Sequence, residues 1–394
     1  MKIFIKNHLL IIILIFFVGI SGLSAWAGCK TSTAYYEERS SVMALSWSLK
    51  PTKSYSDLYF GTAAGSFLTS KGDDLLLIDA AGKPIKRIEN AEYSLGDGLY
   101  EYTENDQCGI KDEDGNIVVK AIYNNVESFL SGYTIATDSI GSPRLMDKKG
   151  RTVFYDKSAN EIIHFDGTTY LIKTNGKSTD MYLFDAVTGE KKKVPSTISD
   201  LESDDNGGYI AYLYEGGHCF LKDDFTPAED TKLYKTVGEL SEGLRYAEIF
   251  EGQDADKISK DFDENTTKTT CGYIDEKGRL IIKLPYYTTD RANPFSEGKS
   301  LVYANSEIRC IDKTGKILFN LKTHYKNDYW FLYETVFAGG LAPVTLDGVH
   351  YGFINERGKF VIEPYFTDAT EIEDGRSIVK YRDAYGILNL KEAM

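Results

Sequence analysis

Gly272-Tyr273-Ile274-Asp275-Glu276-Lys277-Gly278-Arg279-Leu280-Ile281-Ile282 reappears as Gly352-Phe353-Ile354-Asn355-Glu356-Arg357-Gly358-Lys359-Phe360-Val361-Ile362 and, nearer the start, as Gly109-Ile110-Lys111-Asp112-Glu113-Asp114-Gly115-Asn116-Ile117-Val118-Val119. The shared core is a short apolar run, Asp or Asn, two polar residues, Gly, one polar residue, then a β-branched or aromatic run. A side-chain oxygen at the first polar position can accept backbone N–H bonds, while Gly takes the positive φ of a tight turn. The flanking runs suit strands. The stretch therefore predicts a β-hairpin.

Working outward, the same anchor pair recurs as Asp79 with Gly82, Asp147 with Gly150 and Asp312 with Gly315, in a stretched form from Asp185 to Gly189, and in a degenerate form from Lys222 to Phe225. Neighbouring anchor glycines lie 33, 35 and 39 residues apart between 82 and 189, and 37 and 43 apart between 278 and 358. A second turn keeps a roughly constant distance from the first. It reads Ser241-Glu242-Gly243, Ser296-Glu297-Gly298, Ala338-Gly339-Gly340 and Glu373-Asp374-Gly375, with Asp97-Gly98 and Ser131-Gly132 in the early units. Each unit is three or four short antiparallel strands, too few to bury an apolar face alone, so stacking must supply the core. The chain is predicted to be all-β: about eight tandem antiparallel units of ~35–43 residues, closed as a propeller-like ring or run out as an open β-solenoid.

This pattern resembles the bacterial WG-repeat proteins, whose units read Trp-Gly, two apolar residues, Asp, two polar residues, Gly and an apolar strand. The resemblance spans residues 73 to 390. Where that family has Trp before Gly, these units carry Cys108, Cys271, Tyr351 and Tyr385, and none of Trp26, Trp47 or Trp330 precedes a Gly. The resemblance implies a binding scaffold without a shared reaction.

The first residues carry an address. Lys2 and Lys6 precede the apolar run Leu9 to Ile20, which as a helix covers about 18 Å, too short to span a bilayer. Residues 1–28 are expected to be an export signal. Ala25-Trp26-Ala27 suits ordinary cleavage, while Ala27-Gly28-Cys29 resembles the end of a lipobox, making Cys29 the candidate for lipid attachment; both remain open. Residues 29–57 are expected to form a polar tether or an atypical cap with a strand near Ser41 to Leu49. Residues 58–394 form the array, with a protruding loop insertion at 251–270.

The 394 residues carry 45 basic and 59 acidic side chains, a formal charge of −14 that becomes −16 without Lys2 and Lys6. With 42% hydrophobic and 13% aromatic residues the chain can offset the entropy of folding. Its acidity argues against nucleic acid as a partner, and against membrane contact except through an N-terminal lipid.

Chemistry-bearing motifs are scarce. No phosphate loop, nucleophile elbow, Cys-x-x-Cys or His-x-x-x-His is present, and no cofactor or metal site is expected. His164, His218, His324 and His350 are scattered. Asp112-x-Asp114-Gly115-Asn116 lacks EF-hand spacing and reads as a solvated turn, as do the acidic runs at 204–206 and 261–264. Cys108, Cys219, Cys271 and Cys310 read as buried strand thiols or, because an exported protein can be oxidised, as disulfide candidates with Cys271–Cys310 the favoured pair. Tyr35-Tyr36, Tyr286-Tyr287 and Tyr325 to Tyr333 are candidate recognition clusters. The expected function is a non-catalytic scaffold, periplasmic, secreted or lipid-anchored at the cell envelope, that binds a protein, peptide or glycan. The alternative is a hydrolase or lyase whose acids converge from several repeats.

Overall fold

The computed structural model describes residues 38–394, apart from 62–64, 175–179, 205, 230, 285–291, 305, 324–334, 392 and 394. The signal segment, Cys29, His324 and the tyrosines at 35–36, 286–287 and 325–333 lie outside the described residues.

The anchor turn is built as its chemistry dictates. Asp275 Oδ1 accepts the amides of Lys277 (3.0 Å) and Arg279 (2.9 Å), and the Gly278 amide closes onto the Asp275 carbonyl at 2.9 Å. Asp79, Asp112, Asp147 and Asp312 repeat this arrangement, and Asn355 does so through its amide oxygen. Their glycines, Gly82, Gly115, Gly150, Gly278, Gly315 and Gly358, all take the left-handed conformation the turn requires, with φ between 70° and 83°. The degenerate turn keeps the backbone bond from Phe225 to Lys222 although Phe225 sits at φ 63°, and Asp224 supplies the side-chain oxygen to Thr226. At the second turn Asp97, Ser131, Glu242, Glu297 and Asp374 have φ between 50° and 55°, and each is followed by a left-handed Gly. Two successive positive φ values make a primed hairpin turn, whose twist matches that of the strands it joins.

Among the described residues these hairpins assemble into nine blades. Blade one pairs Tyr59–Phe60, Ser66–Lys71, Asp74–Asp79 and Pro84–Ile88 in sequence order; blades two, three and four repeat the four-strand meander. Blades five (Ile198–Ser203, Tyr209–Leu213, His218–Leu221) and six (Lys232–Val237, Leu244–Asp254, Thr269–Asp275, Leu280–Lys283) share one sheet, joined through the single pair His218 with Tyr234. Blades seven and eight show three regular strands each. Blade nine takes Asp368–Ala369, Arg376–Tyr381 and Ala384–Asn389 from the end of the chain and its outer strand, Trp47–Thr52, from the beginning.

The N-terminal strand therefore closes the array into a ring. Eight blades carry the anchors read in the sequence; the ninth has none because its outer strand arrives from elsewhere. The region expected to be a tether or cap is, from Trp47 to Thr52, the outer strand of blade nine. The helical turn at 38–43 is pinned beside it, with Val42 fully buried against Leu341, Phe353 and Leu388.

Packing follows the same circuit. An apolar cluster lies between each blade and the next: Leu75 and Ile88 meet Tyr100 between one and two, and Phe353 meets Val379 and Leu388 between eight and nine. Ile378 and Ile387 of blade nine then meet Phe67 and Ile78 of blade one. Four anchor glycines, Gly82, Gly150, Gly315 and Gly358, sit against the outer strand of the blade before. A Cβ on Gly150 would lie 2.6 Å from Val119 of blade two, and one on Gly315 2.8 Å from Ile282 of blade six. One on Gly82 would lie 2.8 Å from Leu49. Leu49 thus stands toward blade one as Val119 does toward blade three and Ile282 toward blade seven.

Two expectations are revised. No disulfide joins Cys271 to Cys310 or any other pair of the described cysteines. Both occupy the same face of their third strands, so each points around the ring in the same sense and the two never face each other. Cys271 lies in the core between blades six and seven, Cys310 in that between seven and eight. Burial raises the Cys219 thiol to about 11 and Cys310 to about 12, which suits inert core residues. Second, the 251–270 insertion does not protrude. Its first residues extend the second strand of blade six, Phe262 packs edge-on against Phe250 at 5.0 Å, and Glu264 accepts the Tyr212 hydroxyl of blade five at 3.0 Å. The eight anchored units each form a blade, and the ends of the chain add one more.

Candidate functional site

Alternating hairpins give the ring two edges. One carries the primed turns and the anchor turns. The other carries the turns between second and third strands and the connections from blade to blade. On the first edge the Ser-Glu-Gly turns stitch neighbours together. Ser241 Oγ donates to the Phe295 carbonyl and Ser296 Oγ to that of Phe337, both at 2.6 Å. Glu242 accepts the Gly298 amide at 3.0 Å, and Glu297 accepts those of Gly339 (2.7 Å) and Gly340 (2.9 Å). Desolvation alone would raise the Glu242 carboxyl, but its pair with Lys313 and the Gly298 amide hold it below the usual range. This edge is satisfied by its own contacts.

The other edge holds a cleft of about 1060 Å³ between blades one and two. Its walls are the first strands Tyr59–Phe60 and Tyr93–Gly96, the Ser70 to Asp73 hairpin, the Asn90 to Glu92 connection, and Ser128 and Phe129 of blade three. Tyr59 and Tyr93 are 61% and 63% exposed, unusual for rings on first strands. Partial desolvation, then the charges of Asp57, Tyr385 and Tyr93, push the Tyr59 phenol up. Asp57 is fixed: Oδ1 accepts the Ser70 amide and Oδ2 the Ser70 hydroxyl, both at 2.7 Å. Asp73 and Glu92 are exposed.

A second, smaller cavity of about 240 Å³ in blade five brings His218 beside Asp200 and Glu202. Asp200 pairs with Lys173 at 3.1 Å, the Tyr212 ring lies 4.8 Å from the imidazole, and His218 Nδ1 is buried without a hydrogen-bond partner among the described residues. His350 and Asp347 meet at 2.7 Å, but this is a local turn in which Asp347 also accepts the amides of Val349 and His350. His164 bonds the Gly167 carbonyl at 3.0 Å. Asp112 binds the amides of Asp114 and Asn116 and the Asn116 side chain, so its oxygens complete the turn.

The cleft residues Asp57, Tyr59, Asp73, Glu92 and Tyr93 were not singled out by sequence. A signal existed: Tyr59 and Tyr93 stand 23 and 22 residues before their anchor glycines, within one residue of the same place in two consecutive repeats.

The glycine three residues ahead of the anchors Asp112, Asp275 and Asn355 explains the repeat's two-residue motif. A Cβ on Gly272 would fall 2.1 Å from the Ile282 carbonyl oxygen, and one on Gly352 2.6 Å from that of Ile362, because the outer strand crosses directly over it. Gly386 is covered likewise by Trp47 and Leu49 of the N-terminal strand. The family model of the WG containing repeat matches residues 109–137, 272–306 and 351–385. The chain contains WG repeats. In them the glycine is kept for this crossing, while the tryptophan before it is replaced by Cys108, Cys271 and Tyr351. Among solved structures, the WG-repeat ring is similar to the crystal structure of a eukaryotic initiation factor (8% identity, TM-score 0.51, 80% of this chain and 87% of that one). BamB from Moraxella catarrhalis matches at 11% identity and TM-score 0.39 over 86% of this chain and 97% of its own. The Dos1 propeller matches at 12% and 0.42 over 89% and 96%. No protein of curated function matches.

Proposed function

We propose that this WG-repeat protein is a non-catalytic scaffold, exported to the bacterial cell envelope, that binds a protein, peptide or glycan in the cleft between blades one and two. The observation that carries the reading is the 1060 Å³ cleft with two exposed tyrosines on adjoining first strands. Exposed rings in a concavity provide rigid contact area with a polar tip, at little entropic cost. Export rests on Lys2, Lys6 and the apolar run Leu9 to Ile20.

The test is a pull-down from envelope extract with the mature protein and with the Tyr59→Ala/Tyr93→Ala variant. A saturable partner lost in the variant supports the reading; no saturable partner, or one held equally by both, sinks it. Mass spectrometry of the mature N-terminus decides the address, since a free Gly28 means ordinary cleavage and a diacylglyceryl mass on Cys29 means a lipid anchor.

A second reading, an envelope hydrolase or lyase, is favoured by one observation: His218 shares its cavity with Asp200 and Glu202. It requires turnover of an envelope polymer that is lost in His218→Ala, and fails if polymer incubated with the protein stays intact.

A further inference from the structure

The cleft has a sign as well as a shape. Its lining includes Asp57, Asp73 and Glu92 and not one Lys, Arg or His. The bases around it are engaged elsewhere. Arg87 pairs with Asp74; Lys111 is buried and donates to the carbonyls of Glu89 (2.7 Å) and Asn90 (2.6 Å); Lys380 lies 5.1 Å from the Tyr385 ring centroid. Lys71, on the same hairpin as Asp73, does not line the cleft. Among the described residues, neither Asp73 nor Glu92 has a basic ion-pair partner. The whole chain adds a formal charge of −14, and a concave wall of one sign concentrates ligands of the other.

Resting on the scaffold reading above, we propose that the occupant is a basic, extended peptide segment. The apolar stem of a lysine or arginine lies along the rings of Tyr59 and Tyr93, and its charge reaches Asp73 and Glu92. The cavity and the two exposed rings make the site; the carboxylates choose what enters. Tyr faces attract a cation placed within about 6 Å of the ring centre, by roughly 0.5–2 kcal/mol according to burial. An acidic ligand meets three carboxylates with no counter-charge. A neutral glycan gains hydrogen bonds but no charge attraction from them, and both Asp57 oxygens are already held by Ser70. At about 1060 Å³ the cleft slightly exceeds the ~300–1,000 Å³ usual for a small ligand, which leaves room for a peptide.

The test is fluorescence anisotropy with a labelled peptide of alternating lysine and glycine, a glutamate–glycine counterpart, and a competing N-acetylglucosamine oligomer. Three variants are compared with the mature protein: Asp73→Asn/Glu92→Gln, Tyr59→Ala/Tyr93→Ala, and a control, Glu239→Gln/Glu363→Gln, which removes equal charge at exposed positions outside the cleft. Near-ultraviolet circular dichroism checks that all are folded. The lysine peptide is expected to bind, more weakly as salt rises. Its affinity should fall about tenfold or more in both cleft variants, as expected for losing ~1.4 kcal/mol, and stay within about twofold in the control. An equal fall in the control would assign the binding to net charge and overturn the proposal. So would binding of the sugar oligomer in preference to the lysine peptide, which would leave the scaffold reading intact. Absence of lysine-peptide binding also overturns it, whereas the scaffold reading falls only if the pull-down recovers nothing that depends on Tyr59 and Tyr93.

Discussion

At one edge of the ring the turns are short and alike; at the other they run from the two-residue Arg382-Asp383 hairpin to the stretch between Asp254 and Thr269. The short turns are fixed by what they must do. Each anchor glycine sits close to its neighbour or completes an Asp-capped turn, and each Glu of the Ser-Glu-Gly turns ties one blade to the next. The opposite edge has no such task, so length and composition can drift there without loosening the ring. That freedom places the Ser70 to Asp73 hairpin and the Asn90 to Glu92 connection of the cleft, and the 251–270 insertion against blade five, at the drifting edge, beside Tyr59 and Tyr93 on the first strands. Rigid scaffold and variable loops are divided here by edge rather than by domain.

The largest way to break this comparison is to remove residues 38–52, which withdraws the outer strand of blade nine and Val42. A loss on the order of 5 kcal/mol, the scale of a domain's whole net stability, should appear as an early, non-cooperative urea transition. Gly386→Ala comes next. Its Cβ would press on Trp47 at 2.8 Å and the Leu49 carbonyl at 3.0 Å, so overpacking should cost roughly 1–3 kcal/mol in a thermal melt. Glu297→Ala removes two amide acceptors at the stitched edge and should cost about 1 kcal/mol by chemical denaturation.

A milder effect concerns acid. Hydrogen bonds from Thr168 and Thr188 lower Asp185 to about 2, and hydrogen bonds from Asn116 and Thr314 respectively hold Asp112 and Asp312 below the carboxylate range. Their folded values lie below the unfolded one, so the stability they add is present above about pH 4 and lost as the pH falls toward 2. Urea midpoints should drop between pH 5 and pH 2, and Asp185→Asn should flatten that drop, since Asn355 already caps an anchor turn without titrating. The smallest effect sharpens the contrast. Asp73→Asn/Glu92→Gln, at the free edge, should leave stability within about 0.5 kcal/mol of the parent.

The hairpins were legible because an Asp-x-x-Gly turn is local: its bonds span four residues and its chemistry is written in them. Ring closure was not, because Trp47–Thr52 pairs with Ala384–Asn389 across most of the chain and carries no anchor of its own. Blade nine was readable only as an incomplete unit at the end. The cysteines misled for a related reason: a shared face in every repeat means parallel outlook around a ring, not a meeting. The cleft was hidden because a tyrosine on a strand reads the same whether it faces core or solvent. Only the meeting of blades one and two exposes Tyr59 and Tyr93.

The central claim is that the strand Trp47–Thr52 closes the ring and so fixes which edge is held and which is free. Amide hydrogen exchange of the free mature protein tests it most directly. Closure predicts that the amides of residues 47–52 bonded to the final strand exchange as slowly as their partners in 384–389, both opening together. Rapid exchange over 47–52 beside a protected 384–389 would contradict it and leave an open array.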